Sequence, residues 1–117
     1  MNEDIINLLK VLSDNTRLEI LFQLSKGEKT NSDLQKALNK RQSTISHQLS
    51  ILTNANLVEF ELRSKLKYYS VKNTDIFKCI SMIEALANRL SGKELTKEEL
   101  SQEFRDSSKK DLMDSFM

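Results

Sequence analysis

The sequence contains no proline or tryptophan, and only two glycines, one cysteine and one histidine among its 117 residues. A single cysteine excludes an internal disulfide, which predicts a reducing, cytoplasmic location. One cysteine with one histidine cannot build the usual zinc site within one chain, so we expect no metal and no cofactor. No apolar run approaches the roughly 20 residues of a membrane span, and the acidic start lacks a signal-peptide pattern. We therefore expect no membrane partner.

The sequence also lacks the arrangements that catalysis requires. It shows no nucleophile–base pair, no glycine-rich phosphate loop and no cluster of metal ligands. We therefore predict that the protein is not an enzyme.

Net charge is only +1, but the charge is unevenly distributed. Residues 36–72 carry seven basic and two acidic side chains, a net of +5, whereas residues 1–35 and 73–117 each sum to −2. Positive charge confined to one third of a chain is typical of a protein that places one face on DNA phosphates.

A polar helical face lies within residues 41–55, in this basic segment. At 100° per residue, Ile45, Leu49 and Leu52 form one apolar stripe, and hydroxyls with the only histidine lie opposite it. A helix built for solubility alone would carry Lys and Glu pairs on that face. Hydroxyls and an imidazole suit hydrogen bonding in a DNA groove. Taken alone, the window fits a solvated surface helix equally well.

Three helices are predicted before this one. Apolar residues at helical spacing place them over residues 3–12, 15–25 and about 31–38. Gly27 and Asn39, which tolerate left-handed backbone, are the predicted ends of the second and third helices.

A β-hairpin is predicted after the polar-faced helix. Val58-Glu-Phe-Glu-Leu62 alternates apolar and acidic residues, and Leu66 to Val71 is the returning strand, joined by a tight polar turn. The hairpin is too small to be stable alone, so it must pack on the helices. Its basic residues could simply protect a sheet edge from aggregation.

A long helix is predicted from about Thr74 to Leu90, ended by Gly92. Its apolar residues form a seam at spacings of four and three, with Cys79 on a second stripe beside it. So wide an apolar surface favours a homodimer over a central helix buried in a monomer. We expect Cys79 to be a small buried hydrophobic residue, an intersubunit disulfide being the alternative.

These elements predict a mainly α fold with a small β-hairpin, a winged helix-turn-helix in the order α-α-α-α-β-β-α, followed by an extra C-terminal helix. The DNA-binding and dimerisation domain would cover residues 1–92. Residues 93–117 would form a helical extension, started by the capping box Thr96-Lys-Glu-Glu99 and disordered at its end.

Four segments in this order resemble the ArsR/SmtB-type repressors. They are Leu12-Ser-Asp-Asn-Thr-Arg-Leu-Glu-Ile-Leu21, the recognition-helix segment Gln42-Ser-Thr-Ile-Ser-His-Gln-Leu49, Asn56-Leu-Val58, and Tyr68-Tyr-Ser-Val71. The resemblance covers roughly residues 5–90. It implies a homodimeric transcription repressor whose first and fifth helices form the dimer interface.

The chain departs from the metal-sensing members of that family. Thr30 and Ser32 stand where a Cys-x-Cys metal site would begin the third helix, and hydroxyls are not soft thiolate ligands. The fifth-helix metal site is also missing its ligands, since the matching positions hold Asn73, Asp75, Leu86 and Arg89. The effector is therefore left open.

Three sets of residues are predicted to carry the function. The base-contacting set is Gln42, Ser43, Thr44, Ser46 and His47. The phosphate-contacting set is Lys36, Lys40, Arg41, Arg63, Lys65 and Lys67. The dimer-interface set is Ile5, Leu9, Ile76, Ile80, Ile83, Ala87 and Leu90.

Several of these assignments have alternatives. His47 could hydrogen-bond within the domain, and Ser46 could face another helix. Arg17 is expected in an internal ion pair or capping contact, and both wing tyrosines in packing.

Together these features predict a sequence-specific transcriptional regulator, a homodimeric repressor that binds a palindromic operator in double-stranded DNA through helix 41–55 and wing 57–71. The alternative is a winged-helix module that binds an acidic protein or RNA without operator specificity. The hydroxyl-rich face favours DNA, because a protein interface would carry aromatic residues there.

Overall fold

The computed structural model describes residues 2–92, in which five helices and one antiparallel hairpin follow the predicted order. The elements are α1 (Glu3–Leu12), α2 (Asn15–Ser25), α3 (Asn31–Leu38), α4 (Gln42–Asn54), β1 (Val58–Arg63), β2 (Leu66–Val71) and α5 (Asp75–Leu90). The predicted helix in residues 93–117 lies outside the described residues. No helix of the described part combines the length and apolarity that a membrane crossing needs.

The chain divides into two compact units after Lys72. Elements α1 to β2 belong to the first unit, and α5 belongs to the second. The predicted domain over residues 1–92 therefore spans parts of both units.

Polar residues cap the first three helices. The side chain of Asn2 accepts a hydrogen bond from the Asp4 amide at 2.7 Å, and that of Asp14 accepts one from the Arg17 amide at 2.9 Å. Thr30 and Asp33 form a capping box at α3, in which each side chain accepts from the other residue's amide. These side-chain hydrogen bonds therefore mark the start of each helix without proline, which the sequence lacks.

Asparagine residues in the left-handed backbone conformation follow the helices α3 and α4. Asn39 follows α3 with φ of 54°, and Asn56 lies just beyond α4 with φ of 62°. Asn tolerates this region better than most residues. Gly27 has a positive φ of 138°, which also suits the residue type.

The core of the first unit is built from α2, α3, α4 and the start of β1. Its fully buried side chains include Ile20, Leu21, Leu34, Ile45, Leu49, Leu52 and Val58. The predicted apolar stripe of α4 is thus buried completely. Burial of one such side chain contributes about 1.5–3 kcal/mol, so the rotation of α4 about its axis is strongly fixed.

A short third segment extends the hairpin sheet. β1 and β2 pair from Val58↔Val71 to Arg63↔Leu66, and Lys29 forms a bridge with Tyr69 on the other edge of β2. The Tyr69 amide donates to the Lys29 carbonyl at 2.8 Å, and the Lys29 amide donates back at 3.0 Å. The wing is therefore attached by backbone hydrogen bonds to the loop that precedes α3.

The apolar residues of α5 are distributed differently from the prediction. Ile76 and Ile80, predicted at the dimer interface, are 7% and 9% exposed in the single chain. The exposed apolar residues of α5 are Met82, Ile83, Leu86, Ala87 and Leu90. The exposed stripe therefore begins a turn later than the predicted seam and includes the second stripe.

Cys79 is exposed, so the expectation of a buried cysteine was wrong. Its stripe, which continues through Met82 and Leu86, is exposed, whereas the predicted seam is buried only at Ile76 and Ile80. Spacing alone showed two apolar stripes but could not tell how much of each the chain buries.

Candidate nucleic-acid interface

The outward face of α4 presents two polar side chains that the fold does not use. Ser43 and His47 are exposed, and within the described residues neither side chain makes a hydrogen bond. Both lie on the side opposite the buried Ile45 and Leu49. They are therefore free to bind another molecule, in contrast to the alternative of an internally bonded histidine. Thr44 is half-buried on the flank.

The start of α4 lacks a side-chain cap. Arg41 holds the N-cap position with extended backbone, and the helix begins at Gln42. The Arg side chain has no acceptor for the free amides of the first turn, so the predicted helix 41–55 starts one residue later. The exposed Arg41 side chain remains available for a phosphate.

Ser46 faces α3 instead of pointing outward. Its oxygen accepts hydrogen bonds from Asn31 Nδ2 at 2.9 Å and from Gln42 Nε2 at 3.0 Å. Gln35 Nε2 in turn donates to Asn31 Oδ1 at 2.6 Å. The predicted base contact of Ser46 is therefore replaced by a helix–helix contact, and Gln42 is held by the same network.

Arg17 attaches α4 to the end of α1. Its Nη1 donates to Gln48 Oε1 at 2.7 Å, and its Nε donates to the Val11 carbonyl at 2.6 Å. Nη2 lies 3.4 Å from the Lys10 carbonyl. The expectation that Arg17 makes an internal contact is confirmed, and the guanidinium fixes the recognition helix to α1.

Arg63, predicted to contact phosphate, is already paired with carboxylates in the free chain. Its guanidinium forms a short ion pair with Glu28, from the loop before α3, and lies 3.9 Å from Glu61. It also stacks 4.0 Å from the centre of the Tyr68 ring. The hydrogen bond with Glu28 raises the pKa of Arg63. Glu28 therefore partly neutralises a cation that was predicted to be free for phosphate.

The other predicted phosphate-binding cations are exposed and form no ion pair within residues 2–92. They are Lys36, Lys40, Arg41, Lys65 and Lys67. Lys67 Nζ lies 4.6 Å from the centre of the Phe60 ring, which orients it without neutralising its charge.

The turn at the wing tip adopts an unusual conformation for its residues. Ser64 and Lys65 have φ of 50° and 70° between β1 and β2. Two successive positive φ values in a two-residue loop are typical of a type I′ turn, which favours Asn-Gly. Lys65 is therefore held in a strained position at the end of the wing.

The two wing tyrosines pack as predicted. Tyr69 lies 5.5 Å from Phe60 between ring centres, and burial raises the pKa of its hydroxyl. The ring of Tyr68 stacks against the guanidinium of Arg63.

The residues at the family's metal positions have structural roles here. Thr30 Oγ1 caps α3, and Asn73 Oδ1 accepts from the Asp75 amide at 2.8 Å. Within residues 2–92, no three side chains of His, Cys, Asp or Glu are grouped so that they could hold a metal ion.

Comparison with known proteins identifies the family. Residues 14–59 match the family model of bacterial regulatory proteins of the arsR family. The transcriptional repressor SdpR of Bacillus subtilis is 35% identical over 68 residues, which are 58% of this chain and 76% of that protein. The chain belongs to the arsR family. A cadmium resistance regulatory protein CadC homolog of Staphylococcus aureus is 32% identical over 62% of the chain, and the match spans 61% of that relative's length.

A solved structure supports the fold of this arsR-family chain. It is the homodimeric winged helix-turn-helix DNA-binding domain of a possible ArsR-family regulator from Mycobacterium bovis, with a TM-score of 0.67. The match covers 74% of this chain and 81% of that one at 24% identity, so it shows the winged helix-turn-helix fold. SdpR and the CadC homolog are described as regulators, in agreement with the prediction that the chain is not an enzyme.

Three contacts of the interface were not foreseen from the sequence. They are the Arg17–Gln48 hydrogen bond, the Asn31–Ser46 contact and the Glu28–Arg63 pair. The Glu28–Arg63 pair joins residues 35 positions apart. Arg17, which interrupts an apolar helix, and Ser46, which could face another helix, gave a signal, but their partners did not follow from the sequence.

Proposed function

We propose that the chain is a homodimeric transcription repressor that binds a palindromic operator. The observation that carries the proposal is the exposed, unbonded pair Ser43 and His47 on the outward face of α4. The N-terminal part of a recognition helix is where base edges are contacted in helix-turn-helix proteins. The exposed cations at α3, α4 and the wing would bind the flanking phosphates. Such a protein acts in the cytoplasm.

Dimerisation is supported by two exposed apolar faces. Ile5, Ile6 and Leu9 are about half exposed on α1, and Leu86 and Leu90 are 49% and 79% exposed on α5. Apolar surfaces of this kind mark protein–protein contacts. A two-fold dimer would place the recognition helices about 34 Å apart, so the half-sites should lie roughly 10 bp apart.

The base-contact assignment is tested with Ser43→Ala/His47→Ala. Selection of bound fragments from the source genome first supplies the operator. The double variant should lose at least about tenfold of its preference for operator over random duplex, because each good base contact contributes about 1–3 kcal/mol of discrimination. Ser50→Ala, an exposed serine on the same helix, is the matched control.

The same titrations distinguish the alternative function. A module for proteins or RNA would bind random duplex weakly and would show no preference for the operator. If the double variant keeps its preference for the operator, Ser43 and His47 do not read its bases and the recognition-helix assignment is wrong. That result would not contradict non-specific binding of DNA.

A further inference from the structure

A groove of about 430 Å³ lies between the wing and the start of α3 and α4. Its volume is within the range of small-ligand sites. Most of its lining residues have polar side chains, with hydroxyls and amides from the two helices and two lysines from the wing, whereas Leu62 and Leu66 add apolar surface. Ser46, Lys65 and Lys67 are among the lining residues.

Every charged residue that lines the groove is cationic. Lys65 and Lys67 form no ion pair within residues 2–92. The nearby acid Asp33 is not part of the lining and already accepts a hydrogen bond from the Thr30 amide at 2.9 Å. The electrostatics of the groove therefore favour an anion.

The hydroxyl of Ser46 has a proton to donate into its surroundings. A serine oxygen accepts at two lone pairs and donates one proton. Asn31 and Gln42 occupy both acceptor positions, and in the described residues the Ser46 hydroxyl donates to no acceptor. Its proton therefore requires an acceptor from outside the network.

Thr30 differs from Ser46 in this respect. Its oxygen accepts from the Asp33 amide at 3.1 Å as part of the capping box, and its hydroxyl donates to the Asp33 carboxylate. One free hydroxyl donor and two lysines thus line the groove. This donor set matches a phosphate, whose oxygens accept several charge-assisted hydrogen bonds at once.

We propose that this groove is a phosphate-binding site, with Ser46 donating to the oxyanion and Lys65 and Lys67 neutralising it. The phosphate belongs either to the DNA backbone or to a free phosphate-bearing small molecule. The first source rests on the proposed function, and the second is independent of it. Either assignment gives Ser46 a role in binding a phosphate in place of the base contact.

The test is a titration of the full-length, isotopically labelled chain with inorganic phosphate at constant ionic strength, followed by NMR of the side-chain amides of Asn31, Gln35 and Gln42. We expect saturable shifts, absent with chloride. Ser46→Ala should bind phosphate about tenfold more weakly, because a hydrogen bond to a charged group is lost. The matched control Ser50→Ala lies on the same helix outside the groove and should bind like the parent.

A second pair of variants tests whether weaker binding comes from the loss of one lysine in the groove and not from misfolding. Lys67→Met should weaken phosphate binding, and Lys72→Met, which removes an exposed lysine beyond the end of the same strand, should not. Shifts that never saturate, or equal affinity in Ser46→Ala and Ser50→Ala, would overturn the proposal.

Random-sequence duplex DNA identifies the source. If the backbone supplies the phosphate, duplex prevents the phosphate-induced shifts, and Ser46→Ala binds duplex more weakly than Ser50→Ala. If duplex leaves the titration unchanged, the ligand is a free molecule. A chain that binds phosphate through Ser46 but binds no duplex would retain this site and refute the proposed function.

Discussion

At the scale of single residues, Asp33 makes the stability of the start of α3 depend on pH. Its carboxylate accepts from the Thr30 amide, and this hydrogen bond holds the pKa of Asp33 below its ordinary value. A lowered folded-state pKa means that the carboxylate contributes stability above the ordinary Asp range, and that this contribution is lost as the pH falls below about 4.

We expect Asp33→Ala to lower the free energy of unfolding by about 0.5–1.5 kcal/mol at pH 7, the contribution of one hydrogen bond. The difference should be smaller at pH 3, because the contribution of the carboxylate begins to be lost below the ordinary Asp pKa. Thermal denaturation at the two pH values measures both quantities. Asp33→Asn keeps an acceptor without the charge, so its smaller effect should vary little with pH. An equal loss for Asp33→Ala at both pH values would contradict the assignment.

Glu28 competes with DNA for Arg63. Because the two side chains are paired in the free chain, the Glu28 carboxylate partly neutralises the guanidinium and repels an approaching phosphate. Glu28→Gln should therefore raise the affinity for duplex DNA. It should also steepen the slope of log affinity against log salt concentration by up to about one, the value for one added phosphate contact. Fluorescence anisotropy at several salt concentrations measures the slope.

Glu59→Gln is the control for this change, since it removes the same charge from an exposed wing residue that does not pair with Arg63. If both variants gain affinity equally, the effect comes from net charge and not from release of Arg63.

At the scale of elements, the bounds of the helices and strands followed closely from the sequence. The capping residues mark where α1, α2 and α3 begin, and the left-handed asparagines mark where α3 and α4 end, because both act locally. The strict alternation around Phe60 likewise located β1. Local interactions of this kind are encoded within a few residues.

The partners of individual side chains could not be predicted in the same way. Helical spacing gives the angle of Ser46 around α4, but the identity of its neighbour depends on how α3 packs against α4. The same limit applies to Arg63, whose partner Glu28 comes from a distant loop. Packing between elements, and not local propensity, decides which polar residues are free for DNA.

The wing turn carries strain that a substitution should relieve. Ser64→Asn/Lys65→Gly would place the favoured residues in the type I′ turn and should raise the free energy of unfolding by about 1 kcal/mol. The same variant should bind DNA more weakly, because Lys65 is lost. Thermal denaturation and a duplex titration measure the two effects. Lys67→Gly, which places glycine inside a strand, should instead destabilise the chain. An unchanged melting temperature in the double variant would show that the turn is unstrained.

At the scale of the whole molecule, the exposed apolar face of α5 would be covered in the proposed dimer. Ile83→Glu/Leu86→Glu would place two charges on the exposed face of α5 and should convert a dimer to monomers. Analytical ultracentrifugation measures the change. Leu66→Glu, at an exposed wing leucine, should leave the mass unchanged. A parent chain that sediments as a monomer would refute the dimer.

The separation of attachment and recognition on α4 has a consequence for design. Gln48 and Ser46 hold the helix to its neighbours, whereas Ser43 and His47 hold nothing within the described residues. Substituting Ser43 and His47 should therefore leave the fold unchanged. Libraries randomised at only these two positions could therefore yield orthogonal repressors, each reprogrammed for a different operator without repacking the protein.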